Sequence, residues 1–137
     1  MYPAEIVYPM TKDLTSVGFE PLESPEEVIQ VLESQEGTTL LVVNSVCGCA
    51  AAMARPGVKI ALQNEKQPDK LYTVFAGVDQ EATAKAREYL LPYPPSSPSI
   101  ALFKDGKLVH FIERHHIEGR NAMMIAENLK AAFNEYC

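Results

Sequence analysis

Thr39-Leu40-Leu41-Val42-Val43-Asn44-Ser45-Val46-Cys47-Gly48-Cys49-Ala50-Ala51-Ala52-Met53-Ala54 passes from an apolar run to a run of helix formers. The first part reads as a strand covered on both faces, and the last as the opening of a helix. Cys47 and Cys49 fall at the junction. A helix N-terminus has unpaired N–H groups and partial positive charge, so it favours a thiolate over a thiol. The thiolate is the reactive form of cysteine, the nucleophile of disulfide exchange. Gly48 adds permission, because two thiols this close bridge only if the backbone between them bends. A ring closed through one residue is strained, and strained disulfides are labile.

Two plainer roles compete with redox chemistry. Free cysteines often fill cores as small hydrophobes, but a pair flanking a glycine fills one poorly. Structural zinc takes four ligands, and the remaining candidates are His110, His115, His116 and Cys137, with no second cysteine pair. Spacing and context favour redox chemistry.

The chain of 137 residues is long enough for one domain with its own core, and residues 1–137 are read as one domain. Hydrophobic residues make up 47% and charged residues 22%, a globular balance. A net charge of −6 and the lack of a Lys/Arg run argue against nucleic acid and anionic membranes as partners. The start, Met1-Tyr2-Pro3-Ala4-Glu5-Ile6, lacks the basic-then-apolar pattern of an export signal. With three cysteines, an odd number, this predicts a reducing, cytoplasmic setting and a transient, catalytic pair.

Outward from the cysteines, Ile6, Val7, Met10, Leu14 and Val17 mark one face of a helix ended by Gly18. Ser24-Pro25-Glu26-Glu27 is a helix start with N-cap, proline and capping-box acid, and that helix stops near Gly37. The helix after the cysteines runs towards Asn64 and is kinked or interrupted at Pro56-Gly57. Lys70–Val78 reads as a second apolar strand and Gln80–Leu91 as a helix. Pro92–Pro98 is too rich in proline for either. Ser99–Lys104 and Lys107–Glu113 form a hairpin about Asp105-Gly106, and a helix from Asn121 to Phe133 closes the chain. Strand–helix–strand crossovers with a terminal hairpin predict a mixed sheet flanked by helices, and open α/β sheets place sites at strand carboxyl ends.

A central strand, cysteines at the next helix start, and Pro98-Ser99-Ile100-Ala101-Leu102-Phe103-Lys104-Asp105-Gly106 together resemble the thioredoxin arrangement. The resemblance implies a three-layer α/β fold with an added N-terminal helix. It also implies a cis Pro98 facing the cysteines, with the Ser97 backbone docking a client chain. Thioredoxins place two residues between their cysteines and a Trp before them, whereas this chain has one residue there and no Trp.

Val46-Cys47-Gly48-Cys49-Ala50 instead resembles the bacilliredoxin family. So do Met1-Tyr2-Pro3 with Glu5-Ile6-Val7, Glu36-Gly37-Thr38-Thr39, Ala54-Arg55-Pro56-Gly57, Pro94-Pro95-Ser96-Ser97-Pro98-Ser99, and Glu113-Arg114-His115 with Ile117-Glu118-Gly119-Arg120. The family's implied activity is removal of bacillithiol, a small cysteine-containing thiol, from protein cysteines. Cys47 attacks the mixed disulfide and Cys49 or a second bacillithiol resolves the adduct. No cofactor is implied, bacillithiol entering as a thiol co-substrate, and the partners are bacillithiol and S-bacillithiolated clients. Gly48 leaves room for the incoming disulfide. Because bacillithiol bears carboxylates, a cation belongs near the site; Arg55, Arg114 and Arg120 are the candidates, and Arg55 and Arg120 are placed in the substrate set with Ser97 and Pro98. The alternatives are a general protein disulfide isomerase or reductase, and a non-catalytic thiol sensor or metal-binding adaptor. His115-His116 read as loop histidines, His110 as structural, and the place of Cys137 is left open.

Overall fold

Thr38–Asn44 forms β2, and every one of its residues is buried. In a computed structural model of the chain, which describes residues 2–33 and 36–137, β2 lies at the centre of a five-stranded sheet. Met1, quoted above in the N-terminal segment, lies outside the described residues. The element order is α1 (Ala4–Thr15), β1 (Glu20–Pro21), α2 (Pro25–Leu32), β2, a π-helical turn (Ala50–Ala54) running into α3 (Arg55–Ala61), β3 (Lys70–Phe75), α4 (Gln80–Glu88), β4 (Ser99–Lys104), β5 (Lys107–Ile112), α5 (Arg114–Ile117) and α6 (Ala122–Tyr136).

The sheet runs β1-β3-β2-β4-β5, parallel across its first three strands and antiparallel across the rest. Crossover helices make the parallel pairs, and of the two antiparallel pairs the Asp105-Gly106 hairpin makes β4–β5. Asp105 and Gly106 both have positive φ, 50° and 82°, as a tight two-residue hairpin demands.

Side chains along β2 alternate between two cores. Leu40 and Val42 pack with Val58, Ile125, Leu129 and Phe133, from α3 and α6. Leu41 and Val43 pack with Val28, Leu32, Ala82 and Ala86, from α2 and α4. Helices therefore cover both faces, which is why β2 is buried at every position and apolar without a break from Leu40 to Val43. Among the described residues, no helix is long and apolar enough to cross a membrane.

Several expected boundaries move. Of the stripe expected on α1, only Leu14 is buried, and Ile6 is 46% exposed, because α1 meets the core through its C-terminal end. The second strand stops at Phe75, since Gly77 turns the chain at φ +85°. The helix after the cysteines does not break at Pro56. It opens as a π turn, with the Arg55 N–H reaching back to the Ala50 carbonyl, and becomes α-helical with Pro56 in its first turn, where no N–H is needed. β1 and α5 are short and carry no periodic signal.

Candidate active site

Cys47 follows the strand end at Asn44, where the chain turns into the helix. Its carbonyl accepts the N–H groups of Ala50 and Ala51, and its Sγ accepts the Cys49 N–H at 3.4 Å. The sulfur thus caps the first turn, as the junction predicts. The Ser45 Oγ accepts the Cys47 N–H and fixes the approach to that turn.

A second donor arrives from the far side of the sheet. Arg114 Nη2 donates to Cys47 Sγ at 3.2 Å and its Nη1 to the Ser97 carbonyl at 3.2 Å. Glu118 Oε1 receives the Arg114 Nε at 3.0 Å and steadies the guanidinium. Cys47, Arg114 and Ser97 share the lining of an open cavity of about 440 Å³. The Ser97–Pro98 bond is cis, as the thioredoxin resemblance implies, and so is Leu91–Pro92, which the sequence does not announce.

The two thiols, both free and half-buried, are held differently. The Cys49 N–H and, less strongly, the Cys49 thiol and the Arg114 charge pull the Cys47 pKa below the ordinary cysteine value. Donating to Cys47, with burial adding to it, pushes Cys49 up. One sulfur is prepared to attack while its neighbour keeps its proton. A Cβ added at Gly48 would meet nothing within 4 Å, so the approach to the pair is open.

Two expected site cations lie elsewhere. Arg55 is 4% exposed and donates inward, from Nη1 to Asn44 Oδ1 at 2.9 Å and the Ser45 carbonyl at 3.0 Å, and from Nε to Asp13 at 3.2 Å. Its charge is spent on holding the strand end, so it positions the loop rather than meeting substrate. Arg120 lines a separate cavity with His110, His116 and Asn128. The cation at the sulfur is Arg114, and strand register carries the signal for it. Val42 pairs with Ile100 and Ile100 with Ile112, so the residues after β5 return to the same sheet end as Cys47.

The zinc set weighed from sequence is not assembled. Cys137 lies beside Thr38, at the opening of β2, and burial pushes its thiol pKa up. β2 spans seven residues, which puts that end about 20 Å from the Cys47 end. His116 Nδ1 accepts the Glu113 N–H and caps α5, while His110 Nε2 meets Asn128 Oδ1 at 2.6 Å, a structural contact. Glu113, His115 and His116 lie close enough to hold an ion, but neither cysteine belongs to that group.

The family described as Disulphide isomerase matches residues 2–137. A relative from Cytophaga hutchinsonii named Bacilliredoxin is 59% identical over 135 residues, covering 98% of this chain and 99% of its own. A bacilliredoxin from Halalkalibacterium halodurans is 57% identical, covering 99% of this chain and 94% of its own. The chain belongs to the bacilliredoxin family. Thioredoxins from Malassezia sympodialis (TM-score 0.57, 18% identity, 87% of this chain and 90% of that one) and Saccharomyces cerevisiae mitochondria (TM-score 0.56, 18% identity, 90% and 98%) share its fold. Like its bacilliredoxin relatives, this chain is a thiol–disulfide oxidoreductase of thioredoxin-like fold.

Proposed function

We propose that this protein removes bacillithiol from S-bacillithiolated cysteines of cytoplasmic proteins, with Cys47 as the attacking thiolate. The observation that carries the reading is the opposite treatment of two thiols one residue apart, Cys47 stabilised as thiolate and Cys49 as thiol. The name shared by the relatives supports bacillithiol as the group removed.

The Cys47 thiolate attacks the bacillithiol sulfur of the mixed disulfide. That S–S bond breaks, the client cysteine leaves as a thiolate and takes a proton from water, and Cys47 now carries bacillithiol. Two resolutions balance. Cys49, once deprotonated, attacks the Cys47 sulfur, expels bacillithiol and closes a Cys47–Cys49 disulfide that an external thiol must reopen. Alternatively, free bacillithiol attacks the bacillithiol sulfur of the adduct, leaving as its own disulfide and returning the Cys47 thiolate. The client main chain lies along Ser97 and Pro98, and Gly48 leaves space for its cysteine. The Ser97 carbonyl keeps a second lone pair for that chain beside the one Arg114 uses.

A second reading, a general disulfide isomerase, is favoured by the description of the matching family. Bacillithiolated and scrambled-disulfide clients, offered separately in single turnovers and read by intact mass, separate the two. Faster release from the bacillithiolated client with a bacillithiol adduct on the enzyme is expected; equal or faster action on the scrambled client overturns the proposal. Stoichiometric zinc in the purified protein, with no turnover of either client, points instead to a metal-binding adaptor.

A further inference from the structure

The cavity beside Cys47 holds a second arginine that the reaction above leaves unused. Arg87, on α4, lines it together with Tyr2, Gly77 and Arg114. Its Nε is buried and has no hydrogen-bond partner, and burial without a counter-charge pushes its pKa down. Among the described residues, the lining contains two arginines and no acidic residue. Arg114 is already held by Cys47, Ser97 and Glu118, so Arg87 is the cation with donors to spare. A planar guanidinium of this kind matches a carboxylate with paired donors.

Tyr2 and Gly77 line the cavity together with these charges. Gly77 turns at φ +85° and a Cβ there would come within 3.1 Å of the Tyr2 ring, so the ring lies directly on bare backbone. A space of about 440 Å³ falls within the range of small-molecule sites.

We propose that this cavity seats the small anionic thiol that Cys47 takes from its client, with Arg87 binding one of its carboxylates as the specificity-determining residue. The inference rests on the bacillithiol reading and extends it, giving the transferred thiol a place and a recognising charge. The sulfur under attack sits at Cys47 Sγ, and the carboxylate-bearing body of the thiol fills the space towards Arg87.

The test uses client proteins carrying mercaptosuccinate, a dicarboxylate, or neutral 2-mercaptoethanol as mixed disulfides, with each rate divided by that of dithiothreitol on the same disulfide. The wild-type chain is expected to prefer the dicarboxylate at least tenfold in kcat/KM. Arg87→Met should bring the ratio near one. Arg87→Lys, which keeps the charge without the fork, should fall between, and it carries the test if the methionine variant fails to fold. A wild-type preference that survives in both variants overturns the role of Arg87 and leaves the bacillithiol reading standing. A wild-type chain that releases bacillithiol from its client yet ignores charge on the small probes overturns the subsite. Failure to act on a bacillithiolated client at all overturns the reading beneath it.

Discussion

Cys47 and Cys49 are separated by one glycine, yet their surroundings shift them in opposite directions. The Cys49 N–H is the foremost cause on Cys47, and the Arg114 charge adds to it. The alkylation rate of Cys47 should therefore rise with pH about a midpoint below the ordinary cysteine value of about 8.5. Arg114→Met should move that midpoint up without removing the shift, since the backbone donor remains. On the acid side the thiolate is lost and turnover should fall through the same midpoint; a wild-type midpoint at or above the ordinary value refutes the assignment. Unequal thiols also imply unequal mutants. Cys47→Ser should abolish client release, whereas Cys49→Ser should still attack and accumulate a Cys47–bacillithiol adduct until free bacillithiol is added. Intact mass after one turnover shows it, and an adduct on Cys49 reverses the roles.

At the scale of elements, the helix that carries the cysteines is set by its contact with α6. A Cβ on Gly57 would fall 2.8 Å from Ile125 Cγ2 and 3.1 Å from the Ala122 carbonyl, so α3 and α6 touch backbone to side chain there. Gly57→Ala is expected to destabilise by about 2 kcal/mol through overpacking, measured as a lower urea midpoint at unchanged slope. An unchanged midpoint means the helices separate freely. The family resemblance marks Ala54-Arg55-Pro56-Gly57 as a segment, but the reason for its glycine lies on α6, far along the chain.

Across the whole molecule, Arg55 ties three elements together. It joins Asp13 of α1 to Asn44 and Ser45 at the end of β2, with Lys59 adding a second bond to Asp13 at 2.6 Å. Asn44 Nδ2 returns a bond to the Met10 carbonyl. Arg55→Met should cost about 2 kcal/mol, below the full penalty of breaking a buried pair because Lys59 still neutralises Asp13. Thermal unfolding checks the loss, and client release should slow in parallel as the Ser45 carbonyl goes unheld. A variant of wild-type stability and rate removes Arg55 from this structural role.

Local order is what the sequence determined alone. The unbroken apolar run of β2, the Ser24 cap, the Asp105-Gly106 turn and the cysteines at a helix start each depend on neighbours within a few residues. Such signals are legible because propensity, capping and turn geometry act over one turn or one pleat. The resemblance then extended the reading to the family. Which arginine meets the sulfur was decided by the tertiary structure. Arg55, Arg114 and Arg120 are equal as letters, but strand register returns Arg114 to Cys47, packing turns Arg55 inward, and Arg120 falls to another cavity. The same holds for Cys137, which α6 carries to the opposite end of β2. Distance in space between residues far apart in the chain depends on how every intervening element packs, and no local pattern records it.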